Sequence, residues 1–253
     1  RGTVAYGTDA DQLINKNPNT ILYADVAYAH DNVVADGKAT NVVLTDSKAF
    51  NIPEGFTAEN VSITRTVRKG INSFVMPFWV NADDMNSTSL ATFKSSDNSQ
   101  AVFEKVTSVD ANVPFITVDM NASEAGEEKT FDYKDKGFVA TGTFDGSFRG
   151  VYAPLDANGL YGIDNNGLLH KGGEGATINA FHAYYQVVEG ESAPAKISFE
   201  GDAPTAINGV TANDTATDKA VYDLSGRRVA SSLNGASLAK GIYVMGGKKV
   251  AVK

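Results

Sequence analysis

The chain has 253 residues, 42% hydrophobic and 21% charged, with no cysteine, a formal net charge of −8 and a pI near 4.9. A disulfide framework and a thiolate metal site are thereby excluded. The acidic balance argues against nucleic acid, which needs clustered Lys and Arg to neutralise phosphate. No run approaches the roughly 18 apolar residues of a membrane span.

Residues 1–57 are the least regular part, with a helical turn or two expected over Asp9–Asn15. Asn17-Pro18-Asn19 is a turn signal ahead of a strand over Ile21–Ala29. Asp36-Gly37 separates Asn32-Val33-Val34 from Asn41-Val42-Val43-Leu44, the pattern of a hairpin. The central stretch, Ala58–Val80, follows, and its Phe74–Val80 segment is the most hydrophobic of the chain. Val61, Ile63 and Val67 alternate with Ser62, Thr64 and Thr66, and Arg68-Lys69-Gly70 interrupts the pattern. Phe74, Met76, Phe78 and Val80 then fall on one face, and Ser73, Val75, Pro77 and Trp79 on the other. Two period-two runs around a polar turn predict a central hairpin, with Pro77 marking a bulge or the end of pairing.

Asn81–Ser89 reads as a loop or short helix, Ala101–Val109 and Pro114–Met120 as strands, and Glu124–Lys129 as a charged loop. Strands are then expected at 138–144, 148–153, 160–164, 168–170 and 178–188. Asp145-Gly146, Asn158-Gly159 and Asn166-Gly167 supply the positive φ of tight turns. The expected fold is all-β, an antiparallel sandwich spanning residues 1–200. Residues 201–219 are small and polar, a linker. Residues 220–253 form a small β-unit with strands at 221–224, 241–245 and 248–253. Some 35 residues bury too little to stand alone, so this unit is expected to dock on the body.

Chemistry-bearing motifs are sparse. His30, His170 and His182 show no metal-ligand spacing and are expected on the surface or packed in strands. There is no nucleophile elbow, P-loop or dinucleotide fingerprint, and no cofactor is expected. Asp156, Asn158 and Asp164 offer oxygens at short spacing, but without the distant bidentate Glu of a calcium loop; Asx-stabilised turns are the simpler reading. Trp79, Tyr152, Tyr161, Tyr184 and Tyr185 could stack on a sugar, with core packing as the default for each. A carboxylate pair for glycoside hydrolysis is a spatial matter that spacing does not favour.

The C-terminal unit carries a resemblance. Val221–Val229 (VYDLSGRRV) and Lys240–Lys253, within LAKGIYVMGGKKVAVK, resemble the C-terminal sorting modules of secreted and surface proteins of Bacteroidetes, though the full module has further strands. NPNTILYAD, NVVLTDSKAFNIP, FTAENVSITRTV, SFVMPFWV and INAFHAYYQV are similar to a β-rich region of Bacteroides and Prevotella surface proteins. Met76-Pro77-Phe78 stands where that region has LPF, and Asn112-Val113-Pro114-Phe115 where it has GTPY. The resemblance implies an extracytoplasmic, secreted or surface-associated protein. The expected role is a non-catalytic adhesive or structural one, with a host surface protein or glycan as partner. A carbohydrate-binding module and a hydrolase with paired carboxylates are the alternatives. Starting at Arg1 without Met or signal peptide, the sequence is expected to be a trimmed or mature form. Asp214-Thr215-Ala216 resembles the O-glycosylation pattern of the same lineage, making Thr215 a modification candidate beside the reading of an ordinary solvated threonine.

Overall fold

The computed structural model describes residues 17–25, 30–188, 190, 192–201, 221–222, 228–230, 238, 240–245 and 248–252. The expected helical turn over Asp9–Asn15, the linker from residue 202 onward and Thr215 lie outside them. The chain divides into two compact units, residues 1–202 and 203–253. The described residues are almost all strand or loop, an all-β protein; the one helical element is a single 3-10 turn, Asp83–Met85.

The first sheet holds β1 (Leu22–Ala24), β2 (Val33–Ala35), β3 (Lys38–Thr45), β4 (Phe56–Val67) and, after a long excursion, β11 (Glu127–Phe138), in the order β1-β2-β3-β4-β11. The Asp36-Gly37 turn closes β2 onto β3 with positive φ at both residues, as expected of a two-residue hairpin. β1–β2 and β3–β4 run parallel, whereas β4–β11 is antiparallel. The connection between β3 and β4 folds back over the core and buries Phe50 and Ile52. Two buried asparagines hold the irregular N-terminal part. The Asn19 side chain donates to the Thr45 and Lys48 carbonyls, and that of Asn32 to the Pro18 and Val43 carbonyls.

The expected central hairpin is not a hairpin. Gly70–Phe74 forms β5, but it pairs with β10 (Phe115–Met120) in a second sheet and not with β4. Arg68-Lys69-Gly70 therefore arches from one sheet into the next. Gly70 sits at φ +93, and a Cβ there would lie 2.3 Å from the Asn165 carbonyl oxygen, so only glycine fits. Strand pairing stops at Phe74, before Pro77. From Phe74 to Phe78 every residue is buried, on both faces, and only Trp79 emerges. The second sheet runs β18-β8-β7-β10-β5, with β7 (Ser89–Ser96), β8 (Gln100–Val106) and β18 (Lys196–Phe199), the last parallel to β8. Two short strands, β6 (Val80–Asn81) and β9 (Ser108–Val109), pair beside it.

A third sheet, β12-β17-β14-β15, uses β12 (Phe148–Val151), β14 (Tyr161–Ile163), β15 (Leu169–Lys171) and β17 (His182–Tyr185), and is antiparallel throughout. β13 (Leu155–Asp156) pairs with β16 (Thr177–Ile178). Gly146, Gly159 and Gly167 carry the positive φ expected of their turns. The strand expected at 138–144 is displaced. Pairing runs from Glu127 to Phe138, through part of the expected charged loop, and residues 139–144 follow without a ladder.

The body stacks its sheets in three layers. Phe115 faces one core, with Phe74, Leu90 and Phe131; its neighbour Ile116 faces another, with Ala91, Phe103, Phe148 and Tyr185. The middle sheet is thus buried on both sides, which explains why four successive residues, Phe115-Ile116-Thr117-Val118, are all buried. In the second unit, β19 (Val221–Tyr222), β20 (Arg228–Ala230), β21 (Gly241–Met245) and β22 (Lys248–Val252) make an antiparallel sheet in the order β20-β19-β21-β22. It has one strand more than expected, and the expected hairpin of β21 and β22 is present.

Candidate functional site

The most unusual chemistry lies where the three layers meet. Along β4 the inward positions are Val61, Ile63, Arg65 and Val67, so a guanidinium occupies a core position with 2% of the residue exposed. Its NH1 donates to the Phe181 carbonyl and its NH2 to the Ser73 carbonyl, both at 3.1 Å, while the guanidinium lies 3.8 Å from the centre of the Phe74 ring. NH2 also lies 3.1 Å from His182 Nδ1. The far side of that imidazole faces Asp46, with Nε2 3.4 Å from Oδ2. One side chain of the first sheet thereby reaches the edge strand of the second and the His182 strand of the third.

The tautomer follows from the donors. A guanidinium has only N–H groups, so His182 Nδ1 accepts, the ring is neutral, and its proton sits on Nε2 facing Asp46. Burial, then the neighbouring Arg65 charge, push His182 down to about 4. Burial also pulls Arg65 down to about 10, which leaves it a cation at neutral pH. For Asp46, burial works upward, but the His182 hydrogen bond and the Arg65 charge outweigh it and hold the carboxyl below its usual range. Arg65 Nε is the one buried side-chain nitrogen or oxygen without a hydrogen-bond partner among the described residues.

A second buried cation sits near the protein surface. Between Tyr133 and Lys136 on β11, and between Ala58 and Val61 on β4, both strands slip their inward phase by one residue, with Asp135 at φ +51. Because both slip together, the pairing register is kept, and Lys136 turns inward. Its ammonium pairs with Asp84 at 2.8 Å and lies 5.1, 5.6 and 6.0 Å from the rings of Trp79, Tyr133 and Phe78.

The aromatic side chains proposed for stacking do not form a row. Tyr152 is buried and donates to Asn112 Oδ1 at 2.7 Å; burial raises its pKa well above the ordinary value. Tyr184 and Tyr185 are both buried, the latter bonded to Ser96 through its hydroxyl. Tyr161 is half-buried on the wall of a groove of about 700 Å³ that also includes Leu169, Lys171, Gln186 and Pro194. Trp79 is 46% exposed.

The three oxygen-bearing residues are occupied by turns. Asp156 Oδ1 accepts from the Asn158 backbone N–H, and Asp164 Oδ1 from those of Asn166 and Leu168. Asp164 Oδ2 faces His170 Nε2 at 2.9 Å. No group of three or more His, Cys, Asp or Glu that could hold a metal ion occurs among the described residues. His30 is exposed.

Arg65, Asp46 and Lys136 were not singled out from the sequence. For Arg65 a signal existed: it stands in the apolar parity of a strand whose other inward residues are Val and Ile. For Lys136 there was none, because the phase slip moves it inward against the parity set by Phe131 and Tyr133.

The class these features define is a layered all-β module whose buried charges bind its own sheets together. Comparison with known protein families, with curated proteins and with solved structures gave no match.

Proposed function

We propose that the chain is a non-catalytic module of a bacterial surface assembly, adhesive or structural, exposed outside the cytoplasm. The observation that supports this reading best is where the polar chemistry is spent. Arg65 is bound to two backbone carbonyls and one imidazole, His182 lies between Arg65 and Asp46, and Lys136 is paired with Asp84. A general acid or base must reach a substrate proton, whereas these groups reach each other. The resemblance of Val221–Val229 and Lys240–Lys253 to sorting modules supports the compartment.

The test has two arms. Beads coated with the purified chain are expected to retain epithelial cells or mucin above albumin-coated beads; equal retention refutes adhesion. Turnover of chromogenic glycosides, esters or peptides that is lost in Asp46→Asn or His182→Gln refutes the non-catalytic reading. A glycan ligand is the second reading, favoured by the exposed ring of Trp79. A glycan array probed with wild type and Trp79→Ala decides it, since absence of binding by wild type removes the idea.

A further inference from the structure

We infer that the surface centred on Trp79 is a docking site for a basic protein segment, one that sets an aliphatic or aromatic side chain between lysines and arginines. This inference rests on the adhesive reading and gives it a place and a partner chemistry. Six large apolar side chains are exposed among the described residues of the body: Val43, Trp79, Val113, Val139, Leu168 and Val188. Three of them, Trp79, Val113 and Val139, lie on segments hydrogen-bonded to one another. The Val139 N–H donates to the Pro77 carbonyl at 2.8 Å, and the Asn112 N–H to the Met76 carbonyl at 2.8 Å. The Asn112 side chain spans the outer two segments by donating to the Ala140 carbonyl at 2.9 Å.

The platform is tied to the body by side-chain contacts. Tyr152 fixes Asn112 from the core, and the Lys136 ammonium, itself pinned by Asp84, lies against the Trp79 ring. An aromatic anchor already held in place loses little freedom on binding, the usual condition of an interface hot spot.

The surrounding charge selects the partner. Val80 pairs with Val109, so Trp79 and Asp110 are the residues that adjoin this pair on the two segments. Asp83 is next to the Asp84 that holds Lys136, and Asp135 is next to Lys136 itself. Asp83, Asp110 and Asp135 are exposed, and their side chains make no hydrogen bond or ion pair among the described residues. With Asp84, the segments that carry Trp79, Asp110 and Lys136 bring four carboxylates and the one Lys136 ammonium, while the neighbouring Lys134 bonds to Asn60. An apolar centre with an acidic rim is complementary to an apolar residue flanked by cations.

Trp79 is the only tryptophan in the chain, so its emission reports on this surface alone. The probe is the peptide amide RLKFR, with ELDFE and RGKGR as controls. Saturable blue-shifted emission is expected with RLKFR and with neither control. Affinity is expected to fall several-fold from low to physiological salt, and about tenfold in the Asp110→Asn, Asp135→Asn double variant. Both substitutions are at exposed residues, and matching thermal unfolding of the variant and wild type checks that the fold is kept. An equal response to ELDFE or RGKGR, saturation by a β-linked hexaglucan but not by RLKFR, or an emission shift that follows protein concentration without peptide would each overturn the inference. Bead retention of cells separates the two levels. Retention undiminished in the double variant overturns this surface and leaves adhesion standing; no retention by wild type overturns adhesion, and the peptide titration still decides the surface.

Discussion

Acid should loosen the contact between the layers through His182, and a variant that cannot titrate should be spared. Because Arg65 donates into Nδ1, a second proton on the ring has to displace a guanidinium. The fold holds His182 down to about 4 against an ordinary value of 6.5. The unfolded chain therefore binds the proton first as pH falls. The stability linked to this residue is complete above about pH 6.5 and is lost as pH drops through about 4. The difference in pKa corresponds to about 3 kcal/mol at most. The side chain keeps 26% of its surface exposed, and water reaching it should bring the measured loss nearer to about 2 kcal/mol. Asp46 adds to the loss at lower pH, since its carboxyl is held below its ordinary value and stabilises only while ionised. The comparison is urea unfolding of wild type and His182→Gln at about pH 7, 6, 5 and 4.5. Glutamine accepts from Arg65 and donates to Asp46 without titrating. The stability gap between the two proteins should shift by about 2 kcal/mol in favour of the variant on going to acid. Parallel curves would refute the neutral, Nε2-protonated assignment.

Three further outcomes follow from packing. Phe78 is fully buried against Tyr133 and Phe138, so Phe78→Ala should cost about 3–5 kcal/mol, whereas exposed Thr66→Ala should cost under about 1; equal denaturation midpoints would place the core elsewhere. Gly150→Ala puts a Cβ 2.7 Å from Val75 and should destabilise by about 1–3 kcal/mol, with an unchanged melting curve as the contrary result. Residues 1–202 contain both buried cores of the body apart from any contribution of the second unit, and when expressed alone should unfold cooperatively with a dispersed amide spectrum.

Where side chains alternate and turns carry Gly after Asn or Asp, the elements were legible, as with β2–β3 and the strands between 148 and 185. What hid was partnership. Arg68-Lys69-Gly70 has the composition of a hairpin turn, but an arch between sheets also needs a polar, glycine-containing reversal. Only contacts distant in sequence, such as the Ile71 N–H donating to the Asn165 carbonyl, separate the two. The third layer is announced by Phe115-Ile116-Thr117-Val118, since a strand with three apolar residues in four and no exposed parity has two buried faces. Arg65 was visible as a charge in apolar parity. Lys136 was not, because period two holds only while the strand keeps its phase.

The parallel pairing of β18 with β8 sets an order on biosynthesis. Lys196–Phe199 covers Gln100–Ala101-Val102-Phe103, almost a hundred residues upstream. While the chain is being made, β8 can pair with β7 but keeps its other edge open until the strand at 196–199 emerges. An open edge of that kind accepts any strand that arrives, including the same segment of a neighbouring nascent chain. A product ending before Lys196 would retain most of its buried apolar side chains and still be sticky along one line. The four residues of β18 thus act as a seal on assembly, and premature termination upstream of them should yield aggregates rather than soluble fragments.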